Sequence, residues 1–291
     1  MNNIEDSETS FAQMLFDRGY ISGPKVCSCG NTKFSIQNDK YSKISKCVFR
    51  CKNQKCKFRH SIRINSFYAL FPKTKLRLVS EIINNFLEGK NASKCYDNLK
   101  HELKVSISLV TVQTIYAEIR NVITKYLNIS YQSEPFAEKN EHKICSIDES
   151  LFVTDQTNNQ IWVIGAIDNL TKDFRIDIAF RRNQNVLKTF ITQYIEEGNK
   201  LITDGWSGYS FIDEMIGYQR EIHIHGSSDF RYGVNSTSHI ESLWSQLKAT
   251  IKNFYYIIPH QNFIYYLRQA EWRIKNKAKT IEEKISEFFK C

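Results

Sequence analysis

Lys143-Ile144-Cys145-Ser146-Ile147-Asp148-Glu149 is the stretch whose reading decides the fold. An apolar, strand-like run delivers an aspartate where it ends, and two more apolar runs follow at 161–167 and 174–180. The Asp/Asn/Thr connections between them are too short for crossover helices, so the three strands are expected to run antiparallel. Apolar residues then recur at helical spacing over 185–197 (Val186, Leu187, Phe190, Ile191, Tyr194, Ile195). A strand at 201–203, a short helix near 209–215 and a strand at 221–224 come next. A meander followed by strands alternating with helices specifies an α/β (mixed) fold, a mixed sheet with flanking helices.

Lys200-Leu201-Ile202-Thr203-Asp204-Gly205-Trp206 repeats the pattern of a strand ending in an aspartate. Glu241, 37 positions further on, lies in a helical stretch, His239-Ile240-Glu241-Ser242-Leu243-Trp244-Ser245-Gln246-Leu247-Lys248. A lone aspartate at a strand end is most often a turn former or helix cap. Three acids from three elements, however, suit a hard divalent cation, which takes oxygen ligands from a few carboxylates plus substrate phosphate. Trp244 and Leu247 read as core on the same helix. Lys248 stands two turns, roughly 10.5 Å, beyond Glu241, too far for an ion pair and better placed for a DNA phosphate.

These motifs, in this order and spacing, resemble the DDE transposases of the Merlin type and their bacterial insertion-sequence relatives, from about Phe11 to about Asn276. The resemblance implies a ribonuclease H-like fold for 143–291, with Asp148 and Asp204 on neighbouring central strands and the Glu241-x6-Lys248 spacing of that family. It implies a DNA transposase in which Asp148, Asp204 and Glu241 are the catalytic residues, holding two magnesium (or manganese) ions for strand cleavage and strand transfer. The implied partners are double-stranded DNA, as element ends and target, and further copies of the chain in a homo-oligomer on DNA. A stand-alone nuclease of the same fold and a domesticated DNA-binding protein without catalysis are the alternatives.

Eight cysteines suit metal better than disulfides, because five fall between residues 27 and 56. Cys27, Cys29, Cys51 and Cys56 are the expected zinc ligands of a ribbon at 23–71, with Cys47 a spare, although one residue separates the first pair and four the second. The resemblance supports zinc, since Merlin-like proteins similarly open with a cysteine ribbon followed by a segment like Ser66-Phe67-Tyr68. Lys52, Lys55, Lys57, Arg59 and Arg63 are expected to form a basic face. A net charge of +9 and a pI near 9.0 favour a polyanionic partner.

Residues 1–22 read as a polar lead into a short helix at 11–18, and 72–127 as a helical module. In the module, Gly89 ends the first helix, Asn91 caps the second, and Ser106 or Ser108 caps the third. Either a helix-turn-helix with Lys104, Ser108, Thr111 and Gln113 at its DNA-facing end or a plain helical spacer fits. Residues 128–142, with Pro135, read as a linker. His225 and His239 are candidates to support the acids from outside the ligand set. No run approaches ~18 apolar residues and the first twenty lack a secretory pattern, so no membrane span and an intracellular location are expected. A eukaryotic source would make it the nucleus, although Arg273, Lys275, Lys277 and Lys279 form a poor import signal.

Overall fold

The structure is a computed structural model that describes residues 5–133, 136, 144–154, 160–179, 181–223, 236–254 and 260–291. The chain divides into two compact units, residues 1–119 with 279–291, and residues 120–278.

In the first unit, α1 (Glu5–Asp17) precedes a three-stranded antiparallel sheet of β1 (Phe34–Asn38), β2 (Cys47–Cys51) and β3 (Arg59–Ser61), in that order. Phe16 packs edge-on against Phe49 at 5.7 Å, which seats α1 on one face of this sheet. The helical module follows as α2 (Leu76–Leu87), α3 (Ala92–Asp97), a π-helical turn at Asn98–Glu102, and the start of α4 (Leu109–Ser133). Its apolar spacing is buried as expected: Leu76, Val79, Ile82, Ile83, Phe86 and Leu87 all turn inward. The side chain of Asn91 accepts from the Lys94 backbone N–H, and that of Ser108 from the Thr111 backbone N–H, so both expected caps form.

Three expectations change here. Arg63 belongs to no basic face: it is buried and donates to Ser45 Oγ and to the carbonyls of Tyr68 and Phe71, where bare backbone acceptors need a partner. The closing helix, expected to complete the catalytic domain, belongs to the first unit. Its buried Phe288 packs on Phe67 at 5.3 Å and the adjoining Phe289 stacks on Tyr20 at 4.4 Å. Finally, α4 runs on to Ser133 and takes up the first part of the expected linker; Pro135 and residues 137–142 lie outside the described residues. The helix persists because Leu127 and Tyr131, one turn apart, are both buried, Tyr131 beneath the guanidinium groups of Arg175 and Arg268.

In the second unit, β4 (Ile144–Thr154), β5 (Gln160–Asp168), β6 (Phe174–Ala179), β7 (Lys200–Thr203) and β8 (Gln219–Ile222) form one mixed sheet ordered β6-β5-β4-β7-β8. β4, β5 and β6 pair antiparallel, and β7 and β8 join parallel. The pleat sorts the strands onto two cores. Cys145, Ile147, Ile164 and Ala166 face α5 (Gln184–Tyr194) and the 3-10 turn at Ser207–Glu214. Ile161, Val163, Ile167 and Ile176 face α6 (Ser238–Phe254) and α7 (Phe263–Lys275). β4 does not stop at Asp148, as expected, but continues to Thr154, because β5 goes on pairing with it after β7 has parted. Among the described residues, no helix is long and apolar enough to cross a membrane.

Gly165 lies opposite Asp148 in the β4–β5 ladder, and a Cβ built on it would meet the Trp244 ring at 2.6 Å. The indole therefore crosses β5 where the strand has no side chain. Gly165→Ala is expected to destabilise the protein by about 1–3 kcal/mol through overpacking. Denaturant melting of the single and Gly165→Ala/Trp244→Leu double variants checks this: the second substitution should recover part of the loss.

Candidate functional site

Asp148 and Asp204 come from adjacent parallel strands. Ile144, Cys145 and Ser146 pair with Lys200, Leu201 and Ile202, and the same register continued two pairs sets Asp148 level with Asp204, just beyond the end of β7. Neighbouring strands lie about 4.8 Å apart, so the two carboxylates repel. The Asp148 carboxyl is pushed up to about 6, first by burial and then by Glu149 and Asp204, against the hydrogen bond from Trp244.

Trp244 Nε1 donates to Asp148 Oδ2 at 2.9 Å. The indole is core, as the sequence implied, and also a polar handle on the acid, which the sequence did not disclose. Glu241 stands one turn earlier in the first turn of α6. Thr237 Oγ1 donates to Glu241 Oε1 at 3.3 Å and lies 3.0 Å from His223 Nδ1. His223 follows β8 directly, its N–H held by the Thr203 carbonyl, so this histidine is connected to the third acid. His239 faces Lys172 instead, and burial together with that ammonium holds its imidazole below the usual pKa. His225 lies outside the described residues.

Glu149 was missed from sequence. The pleat turns it to the opposite face from Asp148, where it is buried and accepts from Arg182 Nε at 2.6 Å and from the Tyr209 hydroxyl. Arg182 in turn lies 3.8 Å over the Trp206 ring. The signal was present in the Asp-Glu and Asp-Gly-Trp motifs: the residue after each expected metal ligand, or two after it, belongs to one clamp that ties β4 to the loop leaving β7. Asp204 Oδ1 accepts from the Trp206 backbone N–H at 3.0 Å, which turns the chain into that clamp.

Lys248 donates to Ser150 Oγ at 2.7 Å and lies 5.2 Å over the Phe152 ring, on the β4 face that Asp148 also uses. In the helical module, Ser108 and Thr111 are engaged with each other in the α4 cap, their hydroxyls 2.8 Å apart. Lys104, at φ 52°, and Gln113 are exposed.

In the first unit, Cys27, Cys29, Cys51 and Cys56 place their sulfurs within 4.8 Å of one another. Cys27–Cys56 and Cys29–Cys51 are each 3.7 Å apart. A tetrahedral zinc with Zn–S bonds of about 2.3 Å needs sulfurs about 3.8 Å apart, so the donor set fits the ion. The unusual spacings work through local turns. Gly30, at φ 81°, reverses the chain after Cys29, and Asn53 closes the longer turn by accepting from the Lys55 and Cys56 backbone N–H groups. The Cys29 backbone N–H, with His60, draws the Cys27 thiol down to about 7, and the Asn31 N–H does the same for Cys29. Asn31 Nδ2 also donates to Cys51 Sγ at 3.2 Å. Cys47 stands apart, donating to the Ser45 carbonyl, with its thiol pushed up to about 12 by burial. Among the described residues these four cysteines are the one set of three or more potential ligands so gathered; the three acids are not drawn together to that degree.

Three solved structures resemble parts of the chain. A simian T-cell lymphotropic virus intasome in complex with PP2A regulatory subunit B56 gamma matches at 10% identity and TM-score 0.34, over 67% of this chain and 68% of that one. The HTLV-2 integrase catalytic core domain in complex with magnesium matches in its trimeric form at 6% identity and TM-score 0.27, over 51% and 82% of the two chains. Its dimeric form matches at 9% identity and TM-score 0.30, over 45% and 84%. These scores are too low to bear on the fold. Among curated proteins there is no match to this chain. The family model of the ISXO2-like transposase domain matches residues 125–275, nearly the whole second unit with all three acids inside it. That match covers just over half of the sequence, and the chain belongs to the ISXO2-like transposase domain family.

Proposed function

We propose that this chain is a DNA transposase of the Merlin type, which binds element ends and performs strand cleavage and strand transfer at Asp148, Asp204 and Glu241. The observation that carries the reading is the side-by-side placement of Asp148 and Asp204 where β4 and β7 part, with the Glu241 helix tied to Asp148 through Trp244. The strand order, three antiparallel strands extended by two parallel ones, supports a ribonuclease H-like domain.

The donor set fits magnesium or manganese: hard carboxylate oxygens on separate elements, two of them close enough to repel each other, which a divalent cation would relieve. Bound there, such ions supply Lewis-acid stabilisation of the attacking and leaving oxygens of a phosphodiester. The protein's own part is orientation. Trp244 fixes one oxygen of Asp148 and Thr237 one of Glu241, while the Glu149–Arg182–Trp206 clamp holds the two aspartate-bearing segments together. Lys248, on the same face, is the proposed contact to a DNA phosphate, and Lys104 and Gln113 those of the helical module. Zinc on the four cysteines takes the place of a core too small to hold the ribbon by itself.

Asp148→Ala, Asp204→Ala and Glu241→Ala should each abolish magnesium-dependent cleavage of element-end DNA while duplex affinity stays near wild type. Robust cleavage by any of them removes that residue from the site. Purified protein should carry one zinc per chain by elemental analysis; Cys27→Ser should lose it and Cys47→Ser keep it. Lys248→Ala should lower the slope of log affinity against log salt by about 0.9, the share of one phosphate contact, and an unchanged slope with full cleavage assigns Lys248 to helix solvation.

A further inference from the structure

The positive charge of this chain is not spread over it. Residues 23–71 hold eleven lysines and arginines against a single acid, Asp39, a net of +10 where the whole chain carries +9. Everything outside this segment is thus close to neutral. The helical module at 72–127, by comparison, has nine cations against five acids. A surface built for solubility alone intersperses both signs, because like charges crowded on a small module repel and destabilise it.

The structure removes the remaining counter-charge. Asp39 is committed internally: its Oδ1 accepts from Arg59 and from the Tyr41 backbone N–H, each at 3.1 Å. Arg63 is buried, but eight of the eleven cations are exposed. Four thiolates around a zinc ion form a doubly negative centre, which still leaves the module strongly positive.

Placement adds to the count. Lys52, Lys55 and Lys57 lie in and beside the turn between Cys51 and Cys56, a turn fixed by Asn53 and by the cysteine cluster it closes. Arg59 and Arg50 are cross-strand partners on the sheet face opposite Phe49, whose own face is covered by α1. Tyr41, exposed at the rim, lies under both Lys40 and Arg59 at 5.2 and 5.3 Å. Cations held on a metal-tied turn and a short sheet lose little freedom on meeting a phosphate, so more of the attraction survives as affinity.

We propose that the outer face of this ribbon and its second cysteine turn are the main docking surface for the sugar-phosphate backbone of duplex DNA, and supply most of the salt-sensitive part of binding. The inference rests on the DNA-binding reading above and moves its electrostatic weight from the helical module to the ribbon. Neutralising each phosphate releases condensed counterions, and each contact contributes about 0.9 to the slope of log affinity against log salt.

The test is fluorescence anisotropy of the full, zinc-loaded chain on a mixed-sequence DNA duplex across a salt series. The Lys52→Gln/Lys55→Gln/Lys57→Gln variant should lower the slope by about 2 to 3. A matched Lys94→Gln/Lys100→Gln/Lys104→Gln variant in the helical module should lower it by less than half as much. Zinc content of each variant checks the fold, and Lys40→Gln, outside the cysteine turn, should lower the slope by about 0.9 independently. An unchanged slope in both ribbon variants overturns the proposal, as does a larger loss in the helical triple, which would leave DNA binding intact but placed elsewhere. A wild-type chain that shows no salt-dependent duplex binding overturns the DNA-binding reading together with it.

Discussion

The pleat of β4 is the constraint on which the second unit depends. Successive residues of a strand must point to opposite faces, so Asp148 and Glu149 cannot serve the same site. One turns toward α6 and meets Trp244; the other turns toward α5 and is neutralised by Arg182 and Tyr209. A carboxylate as buried as Glu149 is costly unless charge and hydrogen bonds surround it, and removing a partner from such a group costs about 3–5 kcal/mol. Glu149 is thus the fixed acid of the pair, and its fixed position sets that of Asp148 beside it.

What was legible in the sequence was whatever local periodicity encodes. The strand order of the meander, the helical stripe of Leu76 to Leu87 and the caps at Asn91 and Ser108 depend on neighbours within a few residues, and they form as read. Boundaries failed where a distant partner decides them. Asp148 resembled a strand end because acids terminate strands, yet β5 continues the ladder to Thr154. Residues 128–133 are polar enough to pass for a linker, yet Tyr131 is held by Arg175 and Arg268 from other elements. The closing helix left the domain expected for it because an aromatic contact some two hundred residues back in the chain cannot be read from periodicity.

The same division applies to side chains. Spacing and chemistry chose the four expected zinc ligands from five cysteines, and their sulfurs are gathered while Cys47 donates to the Ser45 carbonyl instead. Among the histidines, His239 turns to Lys172 and His225 lies outside the described residues, while His223 reaches Glu241 through Thr237. Only the register of β8 against β7 puts His223 there, and register is a property of pairs of strands.

Gly165 and Trp244 divide one volume between them: the strand gives up a side chain and the helix fills the vacancy with an indole that ends on Asp148. In descent, the two positions therefore form one character. A lineage that acquires a side chain at 165 must shrink the residue at 244 in the same step or nearly so, and the carboxylate opposite then has to find another donor. Sequence drift in this part of the second unit should proceed by paired jumps, with the intermediate combinations rare.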